Sequence, residues 1–354
     1  MTIIAFLIVF GVLILIHELG HFITAKLAGV KVQEFGMGYP PRIFGITRGE
    51  TVYSLNWLPL GGFVKLLGEE DPSHPQSLAG KSRRVRTLVI SAGALMNLFL
   101  ALFLFAIVFM VPQKAVFHTV AIQSVADGSP VALAGLQPGD VVKKVNGRKI
   151  RNINDLRYQY QLRLGAKATT VVERNGALLS INVTPRWKPP AGQGPTGISI
   201  AEPEDERTAS YREPFLTAVP HAFRQAGETL VLTRNGITKW FVGDADPLDD
   251  VAGPIGIARV TGEVAEHGTI VDLTMFAAFL SLNLAIMNIL PIPALDGGRL
   301  LFVAIEFVRR GKRIPPQKEA MVHMIGFATL IAIMVIISVF DIQRIIRGEN
   351  AIGG

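Results

Sequence analysis

His17, Glu18 and His21 stand in the order His-Glu-Leu-Gly-His, two imidazoles four residues apart with a carboxylate next to the first. On a helix, positions i and i+4 share a face one turn apart. Both rings can then reach one metal ion while Glu18 projects from the neighbouring position toward a water on that ion. The chain has no cysteine, so disulfides, thiolate zinc sites, iron–sulfur clusters and thiol nucleophiles are excluded, and any metal must be held by His, Asp or Glu. A catalytic zinc needs a third protein ligand and an open position for water. Asp296 is the candidate, because it closes a long apolar run in which Pro291 and Pro293 interrupt a helix, and Gly297 and Gly298 after it admit close backbone approach. An acid there can equally be an ordinary helix cap.

The elements that must position these groups are membrane spans. Of the 354 residues, 49% are hydrophobic and only 18% charged, against about 25% charged in a soluble domain; mean hydropathy is +0.39. Four apolar runs, at about 2–25, 88–111, 273–295 and 321–340, are each long enough to cross a bilayer. A signal peptide is the rival reading of the first. It is discounted because no Lys or Arg precedes the run and no small-x-small site follows it. Two His and a Glu in such a helix are costly to insert and therefore read as functional.

Basic residues flank the apolar blocks: nine lie between Ala25 and Thr87, six between Arg299 and Lys318. The positive-inside tendency puts both connections in the cytoplasm and the N-terminus, the long connection 112–272 and the C-terminal tail outside. His17, His21 and Asp296 then all fall toward the cytoplasmic side. The net charge of +7 is spent on these flanks and forms no interleaved basic and aromatic face, so no nucleic acid is expected as a partner.

The connection at about 34–67 is glycine-rich with strand-forming residues and predicts hairpins near the membrane. Composition turns soluble from about Ala115, with the string Ala134-Gly135-Leu136-Gln137-Pro138-Gly139-Asp140, a helix predicted at 154–164, and strands at 141–146, 169–174 and 178–184. A Pro- and Gly-rich linker follows. Residues 214–233 have an amphipathic pattern that suits either the outer membrane face or packing on the soluble module. Five other histidines, His323 among them, lack a partner at ligand spacing and stay outside the expected site. Glu306 reads as an interfacial charge.

The sequence resembles the site-2 protease family of intramembrane zinc metalloproteases, closest to the bacterial sigma-E regulator protease branch, over nearly the whole chain. The resemblance rests on His17-Glu18-x-x-His21, on Leu295-Asp296-Gly297, and on Asn283 and Asn288 upstream. It implies Zn²⁺ on His17, His21 and Asp296, Glu18 as general base, and substrate handling by Asn283 and Asn288. The family's Gly-Pro-x-x-Asn pattern stands here as Gly93 to Asn97 with Ala94 in place of proline, so Gly93 and Asn97 are expected near the site. The hairpin region is implied to be re-entrant, with Gly61, Gly62 and Phe63 on an edge that can pair with an extended substrate. The 115–187 module resembles a single PDZ domain.

The expected fold is therefore a polytopic α-helical membrane protein of four transmembrane helices, with a membrane-associated β-hairpin region and one extracytoplasmic α+β PDZ domain. Its parts are membrane core 1–111, PDZ domain 115–187, linker and membrane-facing amphipathic segment 188–270, and membrane core 271–354. The expected activity is zinc-dependent cleavage of single-pass membrane proteins, such as pre-trimmed anti-sigma factors, in the bacterial inner membrane, with no ligand assigned to the PDZ domain. Two other readings stay open: a zinc-binding membrane scaffold without protease activity, and a transporter, for which no internal repeat is found.

Overall fold

The computed structural model describes residues 2–69, 71–203, 205–244 and 251–348. Residues 245–250 of the expected linker segment and the tail beyond 348 lie outside the described residues. The chain forms two compact units. One combines the described residues up to 108 with those from 251 onward; the other spans 109–250.

The first unit contains α1 (Thr2–Leu27), strands β1 (Val32–Arg48) and β2 (Thr51–Leu66), and most of α2 (Arg83–Met110). Four helices of its later part follow the second unit and are given below. Helix α1 exposes Ile3, Ile4 and Ile8 at more than 60% of their surface. Water would penalise such a face, and hydrocarbon does not.

Strands β1 and β2 fold back on each other. Residues 34–37 pair with 62–65 on one side and with 52–55 on the other, and 42–48 pair with the far side of 51–56. The result is a bent meander in which 62–66 forms an edge, and among the described residues no other strand pairs with that edge. Gly61 sits at φ +113°, in the region open to glycine, where a Cβ would lie 2.5 Å from the Tyr39 ring.

The second unit comprises β3 (Gln113–Phe117), β4 (Ile122–Val125), α3 (Pro130–Ala134), β5 (Val141–Val145), β6 (Arg148–Lys149), α4 (Ile153–Gln161), β7 (Ala168–Arg174), β8 (Ala177–Val183), β9 (Ile198–Ile200), β10 (Arg207–Tyr211) and α5 (Phe215–Val242). Strands β6-β5-β7-β8 form one sheet over a core that includes Val131, Val142, Leu156, Tyr160 and Val172. The glycine-rich string has a local logic. Ser129 caps α3, Gly135 ends it in the left-handed region, and buried Asp140 accepts the Gln137 N–H at 2.9 Å and grips Arg174 at 2.6 and 2.7 Å.

The stretch expected as a linker from 188 onward differs from that reading. It supplies β9, which pairs with β4, and β10, which pairs with β3. Helix α5 packs on this unit through polar groups: Glu228 takes Arg148 and the Tyr158 hydroxyl (3.1 Å), and Asn235 donates to the Gln161 carbonyl at 2.7 Å. Its other face leaves Leu216, Phe223, Leu230 and Phe241 exposed.

The remaining helices return to the first unit: α6 (Pro254–His267), α7 (Ile270–Ile289), α8 (Asp296–Val308) and α9 (Pro316–Arg347). With α1 and α2, α7 and α9 make four helices long and apolar enough to cross a membrane, and the chain is a multi-pass membrane protein. Helix α7 stops at Ile289, short of Leu295, because Leu290 turns extended ahead of the two prolines. Asp296 then opens α8 as a new helix.

The Gly253-Pro254-Ile255-Gly256 segment starts α6, and buried Asp341 of α9 accepts the Gly256 N–H at 2.8 Å. A Cβ at Gly253 or Gly256 would lie 2.7 or 2.9 Å from that carboxylate, which accounts for both glycines. Glu306 is no interfacial charge. It is 6% exposed, paired with buried Arg86 at 2.6 Å and reached by Arg313 at 3.3 Å, since a carboxylate at that depth needs a cation.

Candidate active site

Helix α1 turns His17 and His21 toward α2 and α8 and Glu18 toward the cavity beside β2. The approach to α2 depends on small residues: a Cβ at Gly20 would lie 2.4 Å from the Ala92 carbonyl oxygen. Gly93 of α2 stands directly against the histidines, where a Cβ would lie 2.3 Å from His21 Nε2 and 2.6 Å from His17 Nε2. Glycine at 93 keeps that space free.

Asp296 is brought to the same point by the loop 290–295. Gly297 and Gly298 let the loop fold beneath the start of α8, since a Cβ at Gly297 would be 2.0 Å from the Leu290 carbonyl oxygen and one at Gly298 2.5 Å from that of Ile292. Asp296 Oδ2 ends 3.1 Å from His17 Nε2 and 3.2 Å from His21 Nε2, and the two nitrogens are 3.2 Å apart. Among the described residues this is the one group of three His or carboxylate side chains able to hold a metal.

The donor set fits zinc. Ligands at 2.0–2.1 Å in tetrahedral array stand about 3.3 Å from one another, close to the spacings found. The other ring nitrogens are held in place as well. His21 Nδ1 donates to the Val89 carbonyl at 2.8 Å, which leaves Nε2 with its lone pair. Asn97 is fully buried and its amide lies 3.3 Å from His17 Nδ1. With the amide oxygen turned toward the ring it accepts the Nδ1–H, which leaves His17 Nε2 with its lone pair.

A cavity of about 400 Å³ opens on this group, lined by His17, Glu18, His21 and Asp296 on one wall and by residues 62–66 of β2 on another. Gly62 and Phe63 thus border the cavity, and Gly62 lies close enough to Glu18 that a Cβ would sit 3.1 Å from its Cγ. Gly61 lies under the Tyr39 ring and outside the lining. Arg299, Glu69 and Lys65 also line it, and an Arg299–Glu69 pair at 2.7 Å ties α8 to the chain after β2.

Asn283 and Asn288 are not part of the lining. Each amide donates back to its own helix, to Phe279 at 2.8 Å and to Leu284 at 3.0 Å. The sequence reading left out Tyr39, Glu69 and Arg299, which border the cavity. It also set aside His323, which bonds the loop two residues before Asp296 at 3.0 Å. The one sequence signal for His323 was its position in an otherwise apolar span.

The sequence model of peptidase family M50 matches residues 5–333. The chain belongs to peptidase family M50. It is similar to a Clostridium perfringens protein that carries a provisional zinc-metalloprotease name, with 38% identity covering 97% of this chain and 98% of the relative. It is similar also to the zinc metalloprotease RasP of Geobacillus kaustophilus, at 32% identity over 97% and 98% of the two chains. The regulator of sigma-W protease RasP of Bacillus subtilis is 30% identical over 97% and 99%. That last alignment runs over 429 positions, longer than the 354 residues here, so the relative carries inserted sequence.

Proposed function

We propose that this member of family M50 is an intramembrane endopeptidase that cleaves the transmembrane segments of single-pass membrane proteins, with His17, His21 and Asp296 holding zinc and Glu18 as the general base. That it is a metalloprotease, and that zinc is its metal, follows from the family and from the relatives' names. The observation that carries the residue assignment is the convergence of three donor atoms, two of them on an apolar helix long enough to span a bilayer, beside a carboxylate and a cavity.

Zinc held by these residues supplies Lewis acidity, polarising a carbonyl and making water more acidic. The protein's own groups do the rest. Glu18, one residue from His17 and facing the cavity, accepts a proton from the attacking water and delivers it to the departing amide nitrogen. Val89 and Asn97 fix the ring orientations of His21 and His17. The strand edge at 62–65, next to the Leu66 N–H that Glu69 already holds at 3.2 Å, offers backbone donors and acceptors to a substrate stretch that has given up its helical hydrogen bonds. Asn283 and Asn288 each commit one amide N–H to their own helix, and the amide oxygen and second N–H are what they would offer a substrate.

The finer assignments are part of the same proposal. The substrates are single-pass membrane proteins such as anti-sigma factors already trimmed by another protease, in regulated intramembrane proteolysis. The similarity to the B. subtilis regulator of sigma-W protease supports this reading, and the sigma-E regulator branch is the kin we assign. The protein sits in a bacterial inner membrane, with N-terminus, 109–250 unit and C-terminus extracytoplasmic and the site near the cytoplasmic side, a sidedness supported by the basic connections. The 115–187 part of the 109–250 unit is a PDZ domain, to which β9 adds a strand. Its groove of about 560 Å³ between α4 and β9, lined by Leu156, Tyr160, Thr196, Ile198 and Ile200, suits an extended peptide end.

The test is cleavage of a single-span reporter by the purified protein in detergent, comparing wild type with Glu18→Gln and quantifying zinc in both. Lost cleavage with zinc retained supports the assignment. Cleavage persisting in the variant sinks it.

A further inference from the structure

The fourth apolar helix, α9, contributes no metal ligand, yet it touches the loop that delivers Asp296 at two successive residues. Ala294 holds φ +77°, a conformation that L side chains rarely adopt. Its backbone N–H donates to His323 Nδ1 at 3.0 Å. A backbone N–H can only donate, so Nδ1 carries a lone pair and the imidazole is neutral with its proton on Nε2. The ring stands 5.5 Å from that of Phe302 on α8, and Nε2 is buried without a hydrogen-bond partner.

One turn further along α9, Gly326 lies against Pro293. A Cβ there would be 2.3 Å from Pro293 Cβ and 2.9 Å from its carbonyl carbon. Histidine and glycine thus grip residues 294 and 293 side by side, and Asp296 follows two residues later. An alanine held at positive φ relaxes unless its neighbours over-determine it. His323 opposes that relaxation by giving the Ala294 N–H a fixed partner in this conformation.

We infer that His323 is a positioning residue for Asp296: by accepting the Ala294 N–H it fastens the loop, with Gly326 admitting α9 close enough to do so. The inference rests on the reading of Asp296 as a zinc ligand. Groups that orient a ligand, when removed, cost about 10–100-fold in metal affinity or activity. An effect carried through backbone belongs at the lower end of that range.

The experiment measures zinc release to an excess of chelator from the purified full-length protein, alongside reporter cleavage. His323→Leu should release zinc about 10-fold faster than wild type and cleave more slowly. His323→Asn, whose side-chain oxygen can occupy the Nδ1 position as an acceptor, should behave close to wild type. Adding Ala294→Gly to His323→Leu should restore much of the retention, because glycine takes φ +77° without being held. Gly326→Ala, which keeps the histidine but pushes α9 back from Pro293, should also speed release. Wild-type release from His323→Leu or from Gly326→Ala overturns the inference, as does His323→Asn as impaired as His323→Leu. Asp296→Ala separates the two levels: zinc held at wild-type strength there removes the ligand reading itself, whereas zinc lost there with His323→Leu unaffected removes only the positioning role.

Discussion

Gly93→Ala tests the geometry at its narrowest point. The added methyl would lie 2.3 Å from His21 Nε2 and 2.6 Å from His17 Nε2, where ordinary contact begins near 3.4 Å. Either α2 or both rings must move by about 1 Å. Zinc–nitrogen distances tolerate about 0.2 Å, and a misplacement of about 1 Å at a catalytic centre costs about 10²-fold in rate. Alanine should therefore lower zinc content at purification and cut reporter cleavage about 100-fold or more, with the rest of the fold intact. Gly11→Ala on α1 is the control, because nothing lies within 4 Å of its Cβ position, and alanine is the better helix former. It should leave zinc and cleavage unchanged. The assay is metal analysis by mass spectrometry with initial cleavage rates, both variants in the same detergent. Full zinc and wild-type cleavage in Gly93→Ala would refute the reasoning, since the histidines could not then stand where they do against α2.

Asn97→Leu removes the amide beside His17 Nδ1 and should weaken zinc binding about 10–100-fold, read as a shift in chelator competition. Glu306→Ala leaves Arg86 buried without its 2.6 Å partner and should destabilise the protein by about 3–5 kcal/mol in denaturant unfolding; replacing both members by leucine should recover most of that loss. In the 109–250 unit, the two Arg174 hydrogen bonds hold the Asp140 carboxyl below the usual carboxylate range, and the Gln137 N–H adds to them. A depressed folded-state pKa means the contribution is complete above the unfolded value of about 3.9, and is lost as pH falls from there through the folded value. Asp140→Asn should therefore be less stable at neutral pH and show a shallower loss between pH 4 and lower pH, measured by acid unfolding of the full-length protein.

What could be read from the sequence was chemistry that depends on short spacing. His17 and His21 share a helix turn, and Asp296 announces itself through the prolines and glycines around it, so these three were legible before any contact was known. The same holds for the long apolar helices, for β7 and β8 with their alternating pattern, and for β5, a short valine-rich run bounded by Gly139 and Gly147. Strands β9 and β10 were not legible, because three to five residues in a Pro- and Gly-rich stretch carry no period, and their partners β4 and β3 lie far back in the chain. Glu306 and His323 failed for a related reason. Their partners, Arg86 and Ala294, are 220 and 29 residues away, and no local pattern distinguishes a buried ion pair from a charge at a helix end.

Within the membrane unit, many polar groups already have partners. His21 bonds Val89, Arg86 pairs with Glu306, Asp341 takes the Gly256 N–H, and His323 takes that of Ala294. In hydrocarbon an unpaired backbone group costs several kcal/mol, so this satisfaction is what lets the site stand rigid before a substrate arrives. The edge of β2 at 62–66 is different: one of its sides is paired with 32–37, and among the described residues no strand covers the other. A substrate helix that unwinds by one turn frees the hydrogen-bonding groups of about 3.6 residues. Alternate residues of an edge strand turn N–H and C=O outward, and the Leu66 N–H already donates to Glu69 Oε1 at 3.2 Å, so 62–65 can receive part of that turn. On the proposed reading, unwinding and strand addition are therefore a single exchange of hydrogen bonds, and a substrate segment can open beside Glu18 only to the extent that this edge receives it.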